Sequence, residues 1–443
     1  MSNLFRSIPK IDKILNLDIF QNYNRDILLK VARENIEILR EDIRESRVIS
    51  IDFDKIVLDI KAKYLEILSP TLKKMINATG IVVHTNLGRS VISKEILESI
   101  SDVLSSYNNL EYNEKEGSRG ERYDHISKLA CELFGCEDVL LVNNNASAVF
   151  LILNTFAKSK EVILSRGELV EIGGSFRIPS VMADSGAILK EIGTTNRTHL
   201  RDYEEVINEQ SSMIAKIHKS NYDIVGFTKE VDLEEISKLA KERDLISYYD
   251  LGSGFLGDLP LPESDSIKTV LQSGIDLVSF SGDKILGSCQ VGIICGSKKL
   301  IDRLKNNQLL RMLRVDKITI ALLQKTLESY ITNPDDIVTL KLIKEPIEII
   351  KNRAEKLKSL IDLESKVKRV DGYIGGGAMP NRKIDSFAVV LDSKNVKKLE
   401  IHLRENSIIS RLEFDSLILD CRTLFDRDLD YIAKAVNSYK ESN

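Results

Sequence analysis

Between about residue 76 and residue 335, short apolar runs alternate with helix-like stretches, and this alternation constrains the fold more than any other feature of the chain. The runs are "EVILS" (161–165), "ILKEIG" (188–193), "SMIAKIH" (212–218), "LISYYDLGSG" (245–254), "DLVSFSG" (276–282) and "VGIICG" (291–296), bounded by Gly, Asn or Asp. Short unbroken apolar runs read as strands buried on both faces, and helices between them cover those faces. "DVLLVNNNASAVFLILNTF" (138–156) repeats the unit as a strand, a polar turn and a helix. The pattern predicts an α/β domain around a mostly parallel sheet. Ligands of such sheets sit outside the carboxyl ends of the strands, so the polar clusters there are the places to search.

Two further segments flank this domain. Residues 1–70 read as helical: "RDILLKVARENIEILREDIRES" spaces Ile27, Val31 and Ile38 for one helical face, and Pro70 marks an end. Arg33, Arg40, Arg44 and Arg47 fall near one side of that helix. The segment is nearly neutral, so charge alone does not make it a nucleic-acid domain. Residues 336–443 read as a smaller α+β domain, which leaves 71–335 as the large one. A net charge of −4 advertises no broad basic field toward nucleic acid or anionic membrane. No stretch approaches the roughly 18 apolar residues of a membrane span, and the N-terminus lacks the apolar core of a signal peptide. Five cysteines without a CxxC argue against a disulfide framework and against a zinc site. A cytoplasmic protein is expected.

The chemistry gathers at three strand ends. In "VSFSGDKILGS" (278–288), Lys284 sits in a small-residue turn between apolar runs. Ser281 to Lys284 also matches the SxxK pattern of acyl-transferring enzymes, but the companion S-D-N and K-T-G strings are absent. Upstream, Asp250 ends the apolar run of "YYDLGSG". A lysine that forms a Schiff base and an acid that pairs with a pyridinium nitrogen are the two protein groups that pyridoxal phosphate (PLP) chemistry requires. In "VNNNASAVFLIL" (142–153), Asn145, Ala146 and Ser147 stand where a helix begins, and small side chains there let a phosphate reach backbone N–H groups. A phosphate cup, then an Asp, then a Lys is the chain order of the fold-type I PLP enzymes.

Longer stretches carry a specific resemblance. "INATGIVVHTNLGRS" (76–90), "GSRGERYDHI" (117–126), "LVNNNASAV" (141–149), "EIGGSFRIPSVM" (171–182), "GTTNRTH" (193–199), "SNYDIVGF" (220–227), "DLGSG" (250–254), "SFSGDKILG" (279–287) and "LLRMLRVDK" (309–317) follow one another in the order found in one family. The chain resembles the bacterial selenocysteine synthases, the L-seryl-tRNA(Sec) selenium transferases. "GGGAMP" (375–380) and "LDCRTL" (419–424) extend the likeness more weakly.

The resemblance implies a fold-type I PLP-dependent transferase with a helical N-terminal domain that is a candidate for binding tRNA. It implies conversion of seryl-tRNA(Sec) to selenocysteinyl-tRNA(Sec), with selenophosphate as donor, through a PLP aminoacrylyl intermediate. Lys284 would hold PLP and carry the Cα proton. Asp283 would orient or protonate the leaving hydroxyl, and Arg89, Arg311 and Arg314 would line the selenium-donor site. Asn221 would reach the ring hydroxyl, and Ser279 or Ser281 the phosphate. His84 and His125 are read as structural. A homo-oligomer built from dimers, as a decamer, is expected, with the segment holding Arg89 serving a neighbour's site. Where the family usually has Gly-Pro this chain has Ser288-Cys289, and Leu310 replaces a commonly basic residue. "NSIISRLEFDSL" (406–417) lacks expected prolines, which leaves the roles of Arg411 and Arg422 open. The alternatives are a related PLP enzyme acting on a small amino acid or amino sugar, and a non-catalytic scaffold on the same fold.

Overall fold

The computed structural model describes residues 2–172, 176–219, 221–262, 266–375, 379–413 and 415–440. The chain forms two units, Met1–Lys74 and Met75–Asn443. In the first, Asn24 starts the long helix Arg25–Arg44 by accepting the N–H groups of Asp26 and Ile27. Asp52 starts Phe53–Leu68 in the same way. Leu28, Val31, Ala32 and Ile36 of the long helix pack on Ile56, Val57, Ile60 and Tyr64 of the second. Ile38 is 47% exposed, so Ile36 takes the core position that the spacing had given to Ile38. Acids interrupt the expected basic face: Arg40 and Arg44 both reach Glu37, and Arg47 reaches Asp42 and Glu45.

The second unit is built on a seven-stranded sheet. Its spatial order is Asp138–Val142, Gly292–Gly296, Leu277–Ser281, Ile246–Gly252, Ser211–Ile217, Glu161–Ser165 and Ile188–Ile192. Every run quoted above as a strand lies in it. Only Gly292–Gly296 runs against its neighbours; the other pairings are parallel. The helices Asn145–Phe156 and Leu233–Glu242 send Val149, Ile152, Ile236 and Ala240 into the core that covers it. Among the described residues, no helix is long and apolar enough to cross a membrane.

A four-stranded antiparallel sheet, Ser365–Gly375, Met379–Leu391, Ser416–Asp420 and Arg411–Glu413, forms the C-terminal part. The opening stretch "INATGIVV" runs with this part rather than with the central sheet. Ile76 pairs with Ile408, and the N–H groups of Val82 and Val83 donate to the carbonyls of Tyr373 and Ile374. Ile76 and Ala78 are buried among Ile350, Leu399 and Leu419. Of the quoted motifs, residues 173–175, 220 and 376–378 lie outside the described residues, as does 414 in the altered C-terminal segment.

Gly292 shows how tightly the central sheet meets the start of the helix Asn145–Phe156. A Cβ at this position would lie 2.2 Å from the Asn144 carbonyl oxygen. The obstacle is backbone and cannot swing aside. Gly292→Ala is expected to destabilise the fold by about 1–3 kcal/mol, read as a lower thermal midpoint.

Candidate active site

Lys284 lies in the turn that joins the antiparallel strands Leu277–Ser281 and Gly292–Gly296. Three backbone hydrogen bonds close that turn: Gly282 N–H to Val291 O at 2.8 Å, Ser288 N–H to Gly282 O at 2.8 Å, and Gly287 N–H to Lys284 O at 3.0 Å. The lysine is only 7% exposed. Burial disfavours the ammonium form, Asp250 and Asp283 oppose that effect, and Arg89 adds to it; the amine is pushed down to about 8. A part of Lys284 is therefore a neutral nucleophile near pH 7.

Asp250 ends the adjacent strand, 4% exposed, in register with Ile217 on one side and Ser279 on the other. Burial raises its pKa against the Asn145 hydrogen bond, the Lys284 charge and the Gly252 N–H. Asn145 Nδ2 donates to Asp250 Oδ1 at 2.8 Å, and Gly252 N–H donates to the same oxygen at 3.1 Å. Gly252 has φ +66°, where a side chain would be strained. A Cβ there would sit 3.8 Å from Lys284 Nζ and 4.0 Å from Asp250 Oδ1. The glycine thus keeps space open beside both groups.

The helix Asn145–Phe156 begins next to this carboxylate. Its cap is Asn144, whose side chain accepts the Ser147 N–H at 2.9 Å. Ala146 is exposed at the helix start, and Ser147 is half-buried. The hydroxyl of Ser279 is taken by Tyr248 at 2.8 Å, so Ser281, buried at the strand end, is the serine nearer in sequence to Lys284. Asn221 is exposed and donates to the Glu171 carbonyl at 2.7 Å; no described bond joins it to this cluster.

Arg89 meets Asp283 of its own chain at 2.8 Å. Ser90 N–H donates to the Asp283 carbonyl at 3.2 Å, and the Ser90 hydroxyl donates to the Ser288 carbonyl at 2.5 Å. Asp283 is 7% exposed. Arg311 and Arg314 line a separate cavity of about 340 Å³ with Arg119, Arg122, Lys305 and Glu111. Glu111 contacts Arg119, Arg122 and Arg314. The Leu313 carbonyl accepts the Asn143 N–H at 3.0 Å, which docks this arginine stretch at the strand end that starts the helix.

The departures and the open roles also find their places. Leu310 is buried in the central core, where a charged side chain would be costly. Ser288 bonds Thr326 at 3.0 Å, and Cys289 Sγ reaches the Thr319 carbonyl at 3.7 Å. Arg422 is buried and donates to the carbonyls of Asp385, Leu342 and Ile343. Arg411 donates to the carbonyls of Thr79 and Asp371. His125 Nε2 lies 3.2 Å from the carbonyls of Asn109 and Leu110, whereas burial lowers the pKa of His84.

The L-seryl-tRNA selenium transferase family model matches residues 75–425. An L-seryl-tRNA(Sec) selenium transferase of Aliarcobacter butzleri is 51% identical over 448 residues, 99% of either chain. That of Wolinella succinogenes is 50% identical over 441 residues, again 99% of each. The chain belongs to the L-seryl-tRNA selenium transferase family. Among solved structures, a D-glucosaminate-6-phosphate ammonia-lyase aligns with a TM-score of 0.62 at 19% identity, covering 85% of this chain and 97% of that one. The likeness is one of fold, and the fold is the fold-type I architecture expected from the sequence.

Sequence reasoning did not find the Asn145–Asp250 bond, the Arg89–Asp283 pair within one chain or the role of Glu111 in gathering arginines. A glycine two residues after Asp250 was the available sign of a bent, bonded carboxylate.

In this family member the Lys284 amine should become more reactive as pH rises through about 8, because only the neutral form attacks a carbonyl. Peptide mass spectrometry after treatment with a small aldehyde and borohydride should show labelling at residue 284 that rises through that pH and levels off. Exposed lysines should continue to gain label toward about pH 10.4.

Proposed function

We propose that this chain converts L-seryl-tRNA(Sec) to L-selenocysteinyl-tRNA(Sec), with PLP as cofactor and selenophosphate as selenium donor. Lys284 carries the reading: a buried amine, pushed down to about 8, beside a buried carboxylate and a glycine that keeps room for a flat ring.

The residues suit PLP. Asp250 is buried and its pKa is raised, so a cationic ring N–H would relieve it. Asn145 Oδ1 and Asp283 Oδ1 are buried without a hydrogen-bond partner among the described residues, and each can accept one from a bound group. When bound, PLP supplies an electron sink for negative charge formed at the serine Cα. Asp250 would hold the proton on the ring nitrogen. The helix start at Ala146 and Ser147, with Ser281, would receive the phosphate. Lys284 would be the attachment point and the group that moves the proton at Cα. Asp283 has one oxygen fixed by Arg89, which leaves the other for the departing β-hydroxyl. Arg311 and Arg314 supply the positive charge for the donor's oxyanions. Asn221 toward the ring hydroxyl is part of the same proposal and needs a rearrangement of its bond to Glu171.

The ester substrate is favoured over a free amino acid by the C-terminal arginines. A free α-carboxylate calls for an arginine fork. Arg422 spends its guanidinium on main-chain carbonyls, and Arg411 is engaged by Thr79, Asp371 and Asp420. A serine esterified to tRNA presents no such carboxylate. The proposal extends to tRNA contact by the N-terminal helices, a decamer built from dimers and a cytoplasmic site of action.

Incubation with seryl-tRNA(Sec) and selenophosphate should yield selenocysteinyl-tRNA, while free serine with selenophosphate should yield no selenocysteine. Equal conversion of both would overturn the ester reading. Lys284→Ala should abolish turnover and the borohydride-sensitive visible absorption of the bound cofactor.

A further inference from the structure

We propose that Asn145 is the positioning residue for Asp250, acting on the carboxylate rather than on the cofactor's phosphate. The inference rests on the reading of Lys284 and Asp250 as the anchors of PLP. Asn145 opens the helix Asn145–Phe156, where an asparagine would ordinarily cap the helix or help to cradle an anion. Neither duty falls to it. Asn144 does the capping, through its bond to the Ser147 N–H. The Asn145 amide nitrogen instead crosses to the strand Ile246–Gly252 and donates to Asp250 Oδ1 at 2.8 Å. Its other polar atom, Oδ1, is buried without a hydrogen-bond partner among the described residues. That atom is an acceptor, which a phosphate would repel and a bound N–H or O–H would satisfy.

Two consequences follow from this geometry. Asn145 Nδ2 and Gly252 N–H together hold one carboxylate oxygen, at 2.8 and 3.1 Å, and so set the rotation of the carboxylate. The second oxygen is then the one that can meet a ring N–H. The bond also ties the helix start to the strand end. An anion seated at the helix start and a ring seated on Asp250 are therefore kept in fixed register. Of the influences that oppose burial at Asp250, the Asn145 bond is the largest. The other titratable and charged groups around it are Lys284 with Asp283 and Arg89 behind it, Tyr248 and Tyr249 on its own strand, and His218 at the end of the neighbouring strand.

Asp250 must be ionised to keep the ring nitrogen protonated. Loss of a donor to its carboxylate raises its pKa, so protonation sets in at higher pH and the acid side of the pH profile moves up. The test uses full-length holoenzyme as wild type, Asn145→Ala, Asn145→Asp and Ser147→Ala. Three quantities are read: PLP retained on dialysis, the visible band of bound cofactor against pH, and kcat and KM for seryl-tRNA against pH.

Asn145→Ala should keep its PLP, with the acid limb of band and kcat shifted up by about one pH unit, the size expected for losing a hydrogen bond to a carboxylate. The KM for seryl-tRNA should be unchanged. Asn145→Asp conserves shape but sets a second carboxylate against Asp250, and should shift the limb further in the same direction. Ser147→Ala should lose PLP more readily with the limb unmoved. Loss of PLP from Asn145→Ala with an unmoved limb would assign the residue to the phosphate and overturn the proposal. Should Asn145→Ala fail to fold, a wild-type acid limb in Asn145→Asp would overturn it equally. A wild-type protein that shows no visible band after addition of PLP would instead overturn the underlying reading of Lys284.

Discussion

The site depends on a buried carboxylate and a buried amine at the ends of neighbouring strands. Neither Asp250 nor Lys284 could be held there by local sequence. Parallel pairing sets Asp250 opposite Ser279, and the closed turn that follows Ser281 returns Lys284 toward the same end of the sheet. Burial drives both groups toward their neutral forms. Asn145 and Gly252 offset that cost for the carboxylate. The remainder is left for the proposed cofactor to answer, with a ring N–H at Asp250 and an aldehyde carbon at Lys284.

A second ionic cluster steadies the next strand. Glu168 accepts the Ile217 N–H at 3.2 Å and the Lys216 ammonium at 3.0 Å, while Glu230 reaches Lys216 at 3.2 Å. Burial pulls the Lys216 pKa down, but the two acids outweigh it and the group ends above its ordinary value. Ile217 is the register partner of Asp250, so this ion cluster sits directly beside the carboxylate's strand. Removing one member of such a buried group leaves an uncompensated charge, which is why the three residues act as a unit.

The strand runs, the mostly parallel sheet and the three motif-bearing strand ends were legible because each is written locally, as apolar continuity closed by small polar residues. Lys284 and Asp250 were legible for the same reason. What was not legible involves side chains that reach across long separations. Asn145 read as one of several small residues at a helix start; its bond to a residue 105 positions away is visible only once the strands are assembled. Ile38 matched the helical period yet is exposed, because the two-helix packing admits a narrower stripe than the sequence offers. The role of Arg422 stayed open in the sequence, whereas the fold uses it to gather the carbonyls that end the helix Val338–Lys344.

The placement of Arg89 shows how the C-terminal part shapes the site. The segment before Arg89 is fastened to the strand Ser365–Gly375 through Val82 and Val83. Gly375 permits this approach, since a Cβ there would lie 2.3 Å from the Val83 carbonyl. The chain then turns through two successive left-handed residues, Gly88 at φ +87° and Arg89 at φ +63°. An arginine rarely adopts that conformation, and it persists only where its surroundings over-determine it. Here they do so from two sides. The C-terminal strand fixes the entry, and the Ser90 bonds to Asp283 and Ser288 fix the exit. The guanidinium is thereby delivered to Asp283 in a partly buried setting, where charge-assisted bonds are stronger than at the surface. The lysine turn, the opening segment and the C-terminal sheet thus set one another's positions, and a change in any of them reaches the carboxyl group beside Lys284.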